Sequence, residues 1–189
     1  MTLGFAIVVG LAIGLARGGS LLNLATTRWR WWWLGLAGLA VQIPLFSSDP
    51  IAEVLASYGP ILHLLSIGLV IAFLIANVRT DGLPLILFGA LLDGAVIAAN
   101  GGQMPRVEPT DPAPFRNTVA MDERTLLPFL GDWITLPLPG EQFSPGDIAI
   151  AVGGAYCALR LSTRARPQEH ASSARSGDAR ERPADPLNR

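Results

Sequence analysis

The hydrophobic positions of this chain fall into five runs, at residues 3–16, 31–46, 60–76, 83–99 and 148–161, separated by segments rich in Arg, Pro, Gly and Ser. No charge occurs between Met1 and Ala16, and between Pro60 and Val78 only His63 titrates. A soluble protein spreads charge along every surface helix, whereas charge-free runs of this length suit hydrocarbon as the solvent. The pattern predicts an all-α fold, a polytopic membrane bundle of about five transmembrane helices. Several runs fall short of the ~20 residues that cross a bilayer comfortably. Flanking residues complete them, including 20–24 after the first run and Trp29 to Trp33 before the second. The Trp29, Trp31, Trp32, Trp33 cluster reads as an anchor in the headgroup layer, where one ring edge is wet and the face apolar.

The segments between the runs set the organisation. Residues 1–162 form the transmembrane domain. The first run lacks the basic residues that precede a cleaved leader, and Arg17 follows it, so it reads as a retained span. The longest connection, 100–146, holds eight of the fifteen prolines and cannot be one continuous helix. Its second half turns apolar again around Trp133, which suggests a loop lying partly at the membrane surface. From residue 163 to 189 the chain is Arg, Ala, Ser, Pro, Asp and Glu with few large apolar side chains. Such a tail buries too little surface to offset its ordering entropy and is expected to be disordered.

Charge then orients the bundle. The chain has 189 residues, mean hydropathy +0.41 and formal net charge −1, with 15% charged residues. All fourteen basic residues are Arg. With the N-terminus outside, eleven of them fall in cytoplasmic segments and only Arg106, Arg116 and Arg124 outside. Positive residues near span ends resist translocation, so the expected topology is N-terminus outside and C-terminus cytoplasmic. The lipid bilayer is the expected partner, and a protein partner or second copy stays open. No basic surface suggests nucleic acid. The lone Cys157 allows no internal disulfide, and neither a metal motif nor a cofactor motif is present.

Three polar residues at similar outer depth, His63, Asp93 and Asn100, suggest either a proton-linked site or polar ties between spans, the latter weighing more. Ser144 or Asp147 suits the cap of the last helix, with Pro145 in its first turn. Asp93, Asp132 and Asp147 are the candidate catalytic carboxylates.

Several of these positions fall in a recurring set: Asn100, Gly101, Gly102, Gln103, Met104, Pro105; then Leu130, Gly131, Asp132, Trp133, Ile134; Leu136, Pro137, Leu138, Pro139; and Phe143, Ser144, Pro145, Gly146, Asp147, Ile148. Together they resemble the bacterial membrane family called domain of unknown function 5317. That resemblance covers all five runs but not the tail. It implies a bacterial cytoplasmic (inner) membrane protein, and no reaction. Members of that family often carry Asn where Asp93 stands, so the resemblance implies no required catalytic role for Asp93. The last run is also similar in spacing to the final span of lipoprotein signal peptidases, through Phe143, Asp147, Ala149, Ile150 and Gly153. Their earlier Asn-x-x-Asp-Arg is missing here, because Gly101, Gly102 and Gln103 follow Asn100. The readings that result are a structural or accessory membrane protein, a peptidase-like aspartyl enzyme, and a small proton-linked transporter or subunit of a membrane complex. The first is the leading one, and the sequence points to no defined reaction.

Overall fold

The computed structural model describes residues 2–45, 50–107, 117–135 and 142–164. Helices occupy all five apolar runs: α1 (Thr2–Ala16), α3 (Trp32–Leu45), α5 (Gly59–Ala76), α6 (Leu83–Ala99) and α7 (Pro145–Thr163). Two short helices, α2 (Leu21–Ala25) and α4 (Pro50–Ala56), lie between them. Most of the expected tail, 165–189, and the middle of the long connection, 108–116, lie outside the described residues, as do Phe46 and the Leu136, Pro137, Leu138, Pro139 motif.

Among the described residues one helix, Gly59–Ala76, is long and apolar enough to cross a membrane. Phe5–Ala16, Trp32–Leu45 and Leu83–Ala99 are apolar but shorter. The second run begins one residue later than the sequence suggests because Trp31 takes a left-handed φ of 52°, which turns the chain before α3 starts. The fold is also not purely helical. Four short strands form in the long connection: β1 (Met104–Arg106) pairs in parallel with β2 (Thr118–Ala120), and β3 (Ile134–Thr135) pairs antiparallel with β4 (Gln142–Phe143). Prolines break helix there, and the freed backbone groups find partners across strands instead.

The long helices pack as a row in the order α3, α5, α6, α7, α1. Small residues set the closest approaches. A Cβ on Gly89 would strike the Gly146 carbonyl, one on Gly82 the Gly153 carbonyl, and one on Gly153 would lie 2.8 Å from the Ile86 backbone nitrogen. Rising numbers on α6 meet falling numbers on α7, so these helices are antiparallel. On the other side of α7, Ile7 meets Gly154, Gly10 meets Ala155 and Gly14 meets Ser162, so α1 runs parallel to it. Gly38 of α3 faces the Ser66 carbonyl of α5, where an added Cβ would sit at 2.9 Å. Gln42 Nε2 donates to Ser66 Oγ across the same contact at 3.0 Å.

Two apolar clusters fill the row. Leu74, Leu83, Cys157 and Leu161 are buried at the end where α5 turns into α6. Val96, Ile97 and Met104 are buried at the opposite end, under the strands. Elsewhere in the interior Leu34 and Leu45 are buried alongside small and polar groups: Ser66, Ser144 and Ser162 are fully buried, and His63 nearly so. Outside, large apolar side chains dominate, with Phe5 68%, Ile43 64% and Ile61 69% exposed.

Candidate functional site

The end of the bundle bearing Val96 and Met104 carries the polar constellation. It starts from the reversal after α6. Asn100 is the C-cap, and Gly101 and Gly102 both have positive φ, which a side chain resists. Gly102 lies against Pro60, where even a Cβ would meet Pro60 Cα at 2.7 Å. This turn sends β1 back over the helix ends. The Asn100 side chain then holds the later loop: Nδ2 donates to the Leu126 carbonyl at 2.8 Å, and Oδ1 accepts from the Leu126 N–H at 3.0 Å. His63 Nδ1 lies 2.8 Å from the Gly102 carbonyl.

β1 positions two further groups. The Asp132 N–H donates to the Pro105 carbonyl at 2.8 Å, and the Val107 N–H donates to the Asp132 carbonyl at 3.2 Å, so Asp132 lies beside Arg106 in a strand-like bridge. Arg106 Nε donates to Gln142 Oε1 at 3.1 Å, bringing in β4, which leads directly into α7.

The start of α7 completes the site. Ser144 is the N-cap, with Pro145 in the first turn. The Asp147 N–H donates to Ser144 Oγ at 2.8 Å, and the Ser144 N–H donates to Asp147 Oδ2 at 3.1 Å, a reciprocal capping box. The same Ser144 hydroxyl spends its own proton on Asp93 Oδ1 at 2.7 Å. Gly146 allows this meeting, since a Cβ there would collide with Asp93 Oδ1. One serine therefore ties the middle of α6 to the start of α7.

The structure thus draws together Asp93, Asp132 and Asp147, which lie far apart in sequence, with Arg106 as the nearby cation. Burial, reinforced by the charges of Asp147 and Asp93 and opposed by Arg106, pushes the Asp132 carboxyl up to about 7. Asp132 is 9% exposed, and its Oδ1 is buried without a hydrogen-bond partner among the described residues. Asp93 turns to Ser144, His63 to Gly102 and Asn100 to Leu126, so each of the three outer-depth polar residues has its own partner. Among the described residues no group of three His, Cys, Asp or Glu has metal-binding geometry. Sequence reasoning missed Arg106 and Gln142. The one signal for them was that both sit within the same Pro-rich connection as Asp132.

A family model described as a family of unknown function (DUF5317) matches residues 26–158. A protein of Thermotoga maritima, described only as uncharacterized, is 35% identical over 112 residues, which are 55% of this chain and 66% of that protein. The chain therefore covers just under two thirds of that relative's length. No solved structure matches. The likeness of the last run to lipoprotein signal peptidases is not borne out. Asp147 closes its own helix cap, and the Ser144 hydroxyl that accepts its N–H is bonded to Asp93.

Proposed function

This chain belongs to the family of unknown function DUF5317, and from that premise we propose that it is an integral membrane protein with a structural or accessory role, its five long helices crossing the bacterial inner membrane. One observation carries the reading. The exterior holds many large apolar side chains, among them Phe5, Ile43, Ile61, Phe88 and Val152, while serines, glycines and a histidine share the interior with the two apolar clusters. In water that distribution is costly. In hydrocarbon it is favourable, because small residues let backbones approach and polar side chains bond across helices. The strands and the carboxylate site then form an outer cap, and the Arg-rich turns face the cytoplasm. The shorter helices reach across through their flanks, and the longer ones match them by tilting. Alkaline carbonate washing of membranes from expressing cells tests this: the chain should stay in the pellet, and release into the wash would overturn it.

A second reading, a proton-linked role, is favoured by the buried Asp132 oxygen that has no hydrogen-bond partner among the described residues. Three carboxylates around one arginine hold a proton between them more readily than they all ionise. In proteoliposomes an imposed pH gradient should then decay faster with the native chain than with Asp132→Asn. Equal decay in both and in empty vesicles would leave the site purely structural.

A further inference from the structure

At the opposite end of the row from the carboxylates, the turn before α3 and the turn after α5 enclose a cleft of about 620 Å³. Its polar wall is formed by Arg28, Arg30, Arg79, Asn77 and Thr80, with the Trp31 ring beside it. Asn77 makes this a fixed cleft. Its Oδ1 accepts from the Arg30 N–H and its Nδ2 donates to the Arg30 carbonyl, each at 2.8 Å, so one buried amide locks the two arginine-bearing turns together. Its Nδ2 also donates to the Phe73 carbonyl, which anchors the lock to α5. Trp31 holds its left-handed φ of 52° at the rim. Such strain in a non-glycine residue persists only where the surroundings impose it, and it gathers at ligand clamps.

Among the described residues the charge in this cleft is uncompensated. None of Arg28, Arg30 and Arg79 is paired with a carboxylate among the described residues. The nearest acid in sequence, Asp81, is engaged by Arg160, with Nε to Oδ2 at 3.5 Å. Three guanidinium groups around one opening match a tetrahedral dianion or diester, which accepts paired N–H bonds from each fork. The remaining wall is apolar, with Ile75 56% and Val78 37% exposed next to the arginines. A free phosphate makes no use of that flank, whereas a phosphate carrying acyl chains covers it.

We propose that this cleft binds the phosphate of an anionic phospholipid, held by Arg28, Arg30 and Arg79 with the Thr80 hydroxyl, its chains lying along Ile75 and Val78. The phosphate chemistry stands on the cleft itself. The lipid as its source rests on the membrane reading above, in which these turns face the cytoplasmic leaflet, where basic pockets between helix ends collect anionic headgroups.

The test uses the full chain purified in a neutral detergent and offered phosphatidylglycerol, phosphatidylcholine or inorganic phosphate. Lipid retained through gel filtration is quantified by mass spectrometry, and melting is followed in parallel. Phosphatidylglycerol should be retained and should raise the melting temperature, with phosphatidylcholine inert. The Arg28→Gln, Arg79→Gln double variant should retain roughly tenfold less or worse. Arg124→Gln, at the far end, should match the native chain. If the double variant does not fold, each single variant should still lose retention severalfold. Equal retention of the two lipids, or retention unchanged in the variants, would overturn the site. Stabilisation by inorganic phosphate with no preference for phosphatidylglycerol would overturn the lipid assignment and leave a soluble phosphate ester as the occupant. Release of the chain by carbonate would sink the membrane reading alone, because the phosphate arm is read in solution.

Discussion

Ser144 joins α6 to α7 through a single side chain. Its Oγ accepts the N–H of Asp147, donates to Asp93, and is fully buried while doing so. Ser144→Ala removes the cap and leaves a carboxylate oxygen without its donor. Those losses together should cost about 2–4 kcal/mol, read as a lower melting temperature in detergent. Ser144→Thr, which keeps the hydroxyl, should recover most of it. Asp132 gives a pH signature. Its carboxyl is raised from 3.8 to about 7 in the fold, so between those values the folded chain holds a proton that the unfolded chain has lost. Stability should therefore be highest below about pH 4, fall as pH rises toward 7, and level off above it. The total fall should be on the order of 2–4 kcal/mol, and Asp132→Asn should flatten the slope. A profile of native protein that rises with pH over that window would contradict the assignment. The cap itself was legible in the residues, because Ser-Pro-Gly-Asp is a local pattern with a local geometry. The gathering of Asp93, Asp132 and Asp147 was not, because it depends on which helix end the Pro-rich connection returns to, and no local pattern encodes that.

For the elements, close packing is decided by glycines that face backbone. Gly89→Ala would drive a methyl group into the Gly146 carbonyl and against Ile150 Cγ1, 2.8 Å from the added carbon. Neither α6 nor α7 yields at that point without moving Asp93 off Ser144, so a loss of about 1–3 kcal/mol is expected, outweighing the helix-propensity gain of about 1 kcal/mol. Gly68 supplies the control. A Cβ there meets nothing within 4 Å, so Gly68→Ala should be neutral or stabilising by up to about 1 kcal/mol. Melting of the two variants side by side checks both signs. All five runs were legible as helices because sustained apolar composition is strong and local. Their ends were less so: Trp31 turns the chain through a conformation that its residue type disfavours, and Asn77 fixes that turn from 47 positions away. The strands escaped notice for the same reason. Met104 pairs with Thr118 across a gap that no short-range pattern bridges.

At the level of the whole molecule the asymmetry of charge should set the topology. A reporter fused after Arg166 should be active only in its cytoplasmic form, and one inserted near Thr110 only in its external form. The reverse at both sites would reject the orientation proposed above. The order of the row has a further consequence, one of timing. α1 leaves the ribosome well before α7, yet α7 is the helix it packs against, and α2 docks on α7 as well. At ~5–20 residues per second, α1 waits roughly seven to thirty seconds for its partner. Through that interval its glycine face at Gly10 and Gly14 stays open to whatever else is near. The neighbours α3, α5 and α6 can meet as they emerge. Assembly therefore closes along the row from α3 toward α1, and α1 takes its place only once α7 has emerged.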